Sequence, residues 1–266
     1  MNDSQRHIML AMPSYSGRPH VETYHALVHD IAGMQAQGWT VEVRFSVGDS
    51  LIPRARNQIV AIFLAGDGTD LVMIDDDVVW EPDALLRLLT HPVDVVGGVY
   101  PKRTEPLEFP ARRLVDAVPD ANGLLAMEAI PAGFLRLSRT ALEAMARHYD
   151  SHDPQTGAPR PFDHPLHRAY RDSHVPGGKA WSLFGLDLSV DFDNPPTDNL
   201  KCLTGEDFTF CRLWREMGGT VYADTLLRFQ HIGRKAYDGC YAERIAQVTH
   251  DIGRINLQSG AVAHRP

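Results

Sequence analysis

Leu71-Val72-Met73-Ile74-Asp75-Asp76-Asp77-Val78-Val79-Trp80 decides the reading of this chain: an apolar run meets three carboxylates, and apolar residues resume at once. A short apolar run of this kind reads as a buried strand. Three consecutive acids at its end repel one another unless a cation or hydrogen-bond donors absorb the charge. In open α/β sheets, ligands bind beyond the carboxyl ends of the strands. The triplet is therefore expected at a ligand edge, as hard oxygen ligands for a Mg²⁺- or Mn²⁺-like ion. The plainer alternative is an Asp-rich turn capping a helix that starts near Glu81-Pro82, which accounts for one Asp and poorly for three.

Upstream, His7 to Met12 reads as a first strand, running into the turn-rich Pro13-Ser14-Tyr15-Ser16-Gly17. Val21 to Gln37 carries apolar residues at helical spacing, and Gly38 stops it. Val41 to Phe45 alternates as a second strand and leads to a loop containing Asp49. Pro53-Arg54-Ala55-Arg56-Asn57 opens the next helix. Cations in a first turn oppose the helix dipole, which makes sense if an anion such as a diphosphate sits nearby; the plainer alternative is that both arginines are solvated. Arg56 shares a face with Ile59, Val60 and Phe63 and should point inward, whereas Arg54 need not.

Downstream, Glu81 to Leu89 reads as a helix and Val93 to Tyr100 as a buried strand. This alternation predicts a doubly wound, mostly parallel sheet. Leu107 to Leu114 and Leu124 to Ile130 then read as strands without an intervening helix, followed by a strand Phe134 to Leu137 and a helix Thr140 to Arg147. Tyr149 to Leu200 is rich in Pro, Asp, His and Gly with little periodicity, and a segment that long is commonly functional or disordered. Thr204 is a plausible N-cap for a helix whose first turn carries Glu206 and Asp207. Asp207 lies on the face of Phe210, Leu213, Trp214 and Met217 and so points inward, which suits a base better than a cap. His231 is expected directly after a strand Leu226 to Phe229, where a metal could reach it.

With 266 residues, the chain is long enough for a full α/β core. No apolar run approaches a membrane span, and Met1 to His7 lacks the layout of a signal peptide. Three scattered cysteines form neither a disulfide framework nor a zinc spacing, which makes a reducing cytoplasm the expected compartment. The net charge of −8 argues against a general nucleic-acid binder.

These pieces, in this order, resemble the GT-A fold glycosyltransferases, the nucleotide-sugar-dependent class with a DxD motif. Asp49-Ser50 followed by Ala55-Arg56-Asn57 is similar to the nucleotide-side segment of the family-two-like enzymes, and Ile74-Asp75-Asp76-Asp77 to the DxD strand. Gly205-Glu206-Asp207 resembles the xED motif, and His231-Ile232-Gly233 the late metal-binding histidine. The resemblance covers roughly residues 7 to 235. It implies one GT-A domain over 1–266: a nucleotide-sugar half (7–105), an acceptor half with a smaller mixed sheet and a long irregular insertion (106–235), and a C-terminal helical extension (236–266).

By the same resemblance, Asp75, Asp77 and His231 would hold Mn²⁺ or Mg²⁺ against the diphosphate of a nucleoside-diphosphate sugar, a UDP-sugar first and a GDP-sugar second. Pro13, Ser14, Tyr15, Asp49, Arg56, Asn57, Asp75 and Asp76 would frame that donor. Glu206 and Asp207 would be the catalytic carboxylates, Asp207 being the base toward the acceptor hydroxyl if the reaction inverts. The acceptor itself is unspecified.

Two readings compete. A haloacid-dehalogenase-type phosphatase also places Asp-x-Asp after a strand, and Val79 would serve as its following residue, but the downstream Lys and acidic pair are missing. A non-catalytic nucleotide- or glycan-binding module would keep the fold, yet has no chemical need for Asp75, Asp77, Asp207 and His231 together. A sugar-nucleotide pyrophosphorylase is disfavoured because Pro13 to Arg18 is not a Gly-rich phosphate loop.

Overall fold

The computed structural model describes residues 6–189, 202–233 and 235–249. The first half runs β1 (His7–Ser14), α1 (Val21–Ala36), β2 (Thr40–Val47), α2 (Ile52–Ala65), β3 (Asp70–Ile74), β4 (Val78–Trp80), α3 (Ala84–Thr90) and β5 (Val95–Gly98). It continues with β6 (Arg112–Arg113), β7 (Leu124–Ala129), β8 (Phe134–Ser138) and α4 (Arg139–His148). Short strands follow: β9 (Ala169–Arg171), β10 (Lys179–Trp181), β11 (Asp187–Ser189) and β12 (Cys202–Thr204). The chain then forms α5 (Glu206–Glu216), β13 (Val221–Asp224), β14 (Arg228–Ile232) and β15 (Ala236–Cys240), and a helix α6 over 241–249.

Eight strands form one sheet in the order β2-β1-β3-β8-β5-β13-β7-β6. Strands β7 and β8 run against the other six, so the sheet is mostly parallel in direction. Its strands come from both sides of residue 105, so the two expected halves share one sheet. The period-two geometry of a strand sorts its side chains into two layers. Met9, Ala11, Leu71 and Met73 face one core with residues of α2, α4 and α5, whereas Ile8, Leu10, Val72 and Ile74 face the other with residues of α1 and α3. Helices therefore cover both faces, as the βαβ alternation requires. The one charged side chain of central β8, Arg136, is buried and donates to Asp70 Oδ1 from Nε at 2.6 Å. Among the described residues, no helix is long and apolar enough to cross a membrane.

Several local expectations are corrected. The smaller sheet, β15-β14-β4, is wholly antiparallel, not mixed. Its edge strand β15 occupies residues expected in the C-terminal extension, where helix begins only at 241; residues 250–266 lie outside those described. Leu107 to Leu114 is strand only at β6. Thr204 ends β12, and Gly205 is the N-cap of α5, without a side-chain cap. His231 lies inside β14, opposite Val78, and does not follow a strand. The 149–200 stretch carries β9, β10 and β11, while its part from 190 to 200 lies outside the described residues.

Candidate functional site

Strand β3 ends at Ile74, and the chain turns at once, with Val78 N–H donating to Asp75 O at 3.3 Å. Strand β4 then joins the small sheet instead of the large one. Asp75, Asp76 and Asp77 thus occupy the junction between two sheets. They do not cap α3. That helix is capped across space by buried Asp30 of α1, which accepts from Asp83 N, Leu85 N and Trp80 Nε1 at 2.8, 2.9 and 3.1 Å. The capping alternative for the triplet therefore fails, and α3 begins at Ala84, later than its acidic first turn suggested.

The three aspartates have different neighbours. Asp75 Oδ1 accepts from Arg56 Nη2 at 2.8 Å, and Oδ2 accepts from Tyr100 Oη at 3.0 Å. Its N–H donates to Gly133 O at 2.9 Å. Asp76 accepts the Ser14 hydroxyl, and its carbonyl accepts His20 N–H at 3.0 Å, which ties the 15–20 loop to the triplet. Burial, followed by the charges of Asp77 and Asp75, raises the Asp76 pKa despite the Ser14 bond. Asp77 Oδ2 lies 2.7 Å from Arg103 Nη2, and Oδ1 lies 3.4 Å from His231 Nε2. Burial opposes ionisation of Asp77, but His231 and Arg103 outweigh it and its pKa falls.

The orientation of His231 is informative. Its Nδ1 is 2.8 Å from Pro101 O, and a carbonyl only accepts, so Nδ1 carries the hydrogen. In the neutral ring, Nε2 then presents a lone pair toward the Asp77 carboxylate. Two acceptors facing each other need a proton or a cation between them. A histidine whose other nitrogen is fixed by a backbone carbonyl is the usual state of a metal-ligating imidazole. A proton on Nε2 or a divalent cation would each satisfy this pair.

A second cluster adjoins the first through Asp75. Arg56 is 3% exposed, donates to Ala132 O at 3.0 Å and lies 3.5 Å from Glu206 Oε1. Burial works against the Arg56 charge, but Asp75 and Glu206 overcome it and its pKa rises. The inward orientation expected from spacing is present, and Asp75 and Glu206 are the carboxylates beside the guanidinium. Asp207 accepts from Phe208 N at 2.8 Å. Burial, then the Glu206 charge, pushes Asp207 up to about 6, against the pull of the Phe208 bond and Arg56. A carboxylate titrating there is matched to proton transfer near neutrality. Burial and the Asp75 charge lift the Tyr100 phenol well above its ordinary value, so it stays a donor.

Other predicted residues lie apart from these clusters or are otherwise engaged. Both amide atoms of Asn57 bond the Phe184 backbone, each at 2.8 Å, so this residue anchors the 149–200 segment on α2. Asp49 accepts from Arg54 Nε and Nη2 at 2.7 and 2.8 Å and from Leu51 N at 2.9 Å. Pro13 is buried at the end of β1, and Tyr15 is 70% exposed beyond it. A cavity of about 710 Å³ lies between the start of α2 and the 149–200 segment, lined by Leu51, Arg54, Asn57, Tyr170 and Phe184 among others. None of the acidic triplet lines it.

Sequence reasoning missed Tyr100, Arg103, Pro101 and Gly133. Gly133 is required sterically, because a Cβ there would lie 2.2 Å from Asp75 Oδ2 and 2.4 Å from Tyr100 Oη. It directly precedes β8, whose first residue Phe134 pairs with Ile74, and this brings Gly133 against Asp75. His29, Asp30 and Asp83 also bring potential ligand atoms together among the described residues. Asp30 is occupied by the three N–H donors named above, so that cluster is a cap.

No family model and no curated protein matches the chain. A solved structure described as "Crystal Structure of A197 from STIV" is similar at 15% identity, covering 88% of this chain and 90% of that one with a TM-score of 0.47. At that distance the likeness bears on neither mechanism nor substrate.

Proposed function

We propose that this chain is a metal-dependent glycosyltransferase using a nucleoside-diphosphate sugar, with a UDP-sugar as the first candidate donor and a GDP-sugar as the second. The observation that carries the proposal is His231, held by the Pro101 carbonyl so that Nε2 faces Asp77. In this reading Asp77 and His231 would hold Mn²⁺ or Mg²⁺, and such a cation would supply positive charge beside the departing diphosphate. Arg56 and Tyr100 fix both oxygens of Asp75, which leaves its remaining lone pairs toward the donor or cation.

Asp207, ionised above about pH 6, would accept the proton of the acceptor hydroxyl as that oxygen attacks the anomeric carbon. The bond from anomeric carbon to diphosphate breaks, and the nucleoside diphosphate leaves with the electron pair. Glu206 balances Arg56 and raises the proton affinity of Asp207, which makes it a positioning residue. The phosphatase reading fits less well, because the sequence offers no downstream Lys and acidic pair in the order that reading needs.

The test is a thermal melt with UDP, GDP, CDP or dTDP, each with Mn²⁺ and with a chelator. A ligand of the native state alone raises the melting temperature. The proposal expects one nucleoside diphosphate to stabilise the protein only with metal, and Asp77→Ala to abolish that gain. Absence of any metal-dependent shift at saturating ligand contradicts it.

A further inference from the structure

The segment after β5 carries Pro101, which holds His231, and Arg103, which meets Asp77. The same segment continues into a separate cavity of about 530 Å³ between residues 102–113 and α6. Phe109 and Tyr241 line it, with ring centroids 5.4 Å apart and a 47° tilt, and Ile245 and Val248 extend the apolar wall. Three cations, Lys102, Arg113 and Arg244, line it against the single carboxylate Glu108. Lys102 pairs with Glu108 at 3.0 Å. Among the described residues, Arg113 and Arg244 have no acidic partner.

Two exposed guanidiniums without carboxylates, facing one cavity over an aromatic surface, are unusual on a chain with 34 acidic and 26 basic residues. Guanidinium forks match the oxygens of a phosphate, and ring faces take a planar group. The volume lies in the range of small-molecule pockets. We infer that this cavity is an anion-binding subsite for a phosphate ester attached to an aromatic or similarly flat group. On the transferase reading, which this assignment deepens, the ligand is part of the acceptor. Lys102 stands in sequence between Pro101, which fixes His231, and Arg103, which meets Asp77, so one segment serves both the subsite and the proposed transfer centre.

The experiment uses 1-naphthyl phosphate as probe, with 1-naphthol and inorganic phosphate as comparisons, followed by saturation-transfer NMR and titration on the full chain. Naphthyl phosphate should bind in the millimolar range or tighter, and more strongly than either comparison compound. Arg113→Glu combined with Arg244→Glu should weaken it by about tenfold or more, as expected when charge attraction becomes repulsion. Both residues are exposed, so the melting temperature should hold. Metal-dependent nucleoside-diphosphate binding should also be unchanged in that variant. No binding of naphthyl phosphate, or binding indifferent to the charge reversal, overturns the subsite. If naphthyl phosphate binds as described while no nucleoside diphosphate does, the subsite stands and the transferase reading fails.

Discussion

Replacing Arg103 by Ala should tighten divalent-metal binding, which is the opposite of what removal of a ligand would do. Arg103 Nη2 lies 2.7 Å from Asp77 Oδ2 and is the resident counter-cation of the carboxylate proposed to hold metal. The Arg103 side chain is 47% exposed and that of Asp77 is 16% exposed, so the pair is screened and is worth about 0.2–1 kcal/mol. A metal entering wild type must break that pair, whereas in Arg103→Ala it need not. The difference is roughly a 1.4- to 5-fold lower Kd for Mn²⁺ in the variant. It should be largest at low ionic strength and shrink toward about 0.15 M salt, where the Debye length is about 8 Å. Electron paramagnetic resonance of free Mn²⁺, titrated without nucleotide, measures it directly. His231→Ala is the matching control and should weaken binding. Unchanged or weaker Mn²⁺ binding in Arg103→Ala would refute the idea that Arg103 and metal share Asp77.

Asp207→Asn should suppress transfer while stabilising the fold above pH 6. A carboxyl raised from 3.8 to about 6 contributes stability that is present below 3.8 and lost as pH rises through 6, at most roughly 3 kcal/mol. Melting curves should therefore show a gain of a few degrees at pH 8 that fades by pH 4, and an equal gain at both would refute the assignment. In wild type, kcat/KM should fall as pH drops through about 6. Gly133→Ala should cost about 1–3 kcal/mol in urea unfolding and abolish metal-dependent nucleotide binding, because its Cβ enters the space of Asp75 and Tyr100. Wild-type nucleotide affinity in that variant would show that Asp75 is not needed where it stands. Asn57→Ala leaves the Phe184 N–H and C=O unpaired in a buried place and should cost about 2–5 kcal/mol with little change in Mn²⁺ affinity. Stability within error of wild type would count against its anchoring role.

Much of the frame was legible because it rests on local pattern. The apolar run of β3, the helical face of α2 and the inward position of Asp207 follow from periods of two and 3.6 residues. What sequence could not supply were meetings between distant segments. Arg56 looked like an unpaired cation awaiting a diphosphate, because nothing local reveals that Glu206 comes to its side from 150 residues away. Asn57 read as part of a nucleotide-side motif, whereas its partner is the backbone of Phe184. The cap of α3 comes from Asp30 in another helix, so the acidic residues beside its start misled the boundary. β15 was hidden for a related reason: its pairing is decided by β14 and not by its own composition, which includes Asp238 and Gly239.

The most direct test of the central claim is to incubate the protein with Mn²⁺ and UDP-, GDP-, CDP- or dTDP-linked sugars and to separate the products. Water can stand in for the missing acceptor hydroxyl. The account predicts slow release of a nucleoside diphosphate and free sugar from donors of one base, abolished by chelation, by Asp77→Ala and by Asp207→Asn. Release of inorganic phosphate instead, or of no nucleoside diphosphate from any donor that binds, would contradict it.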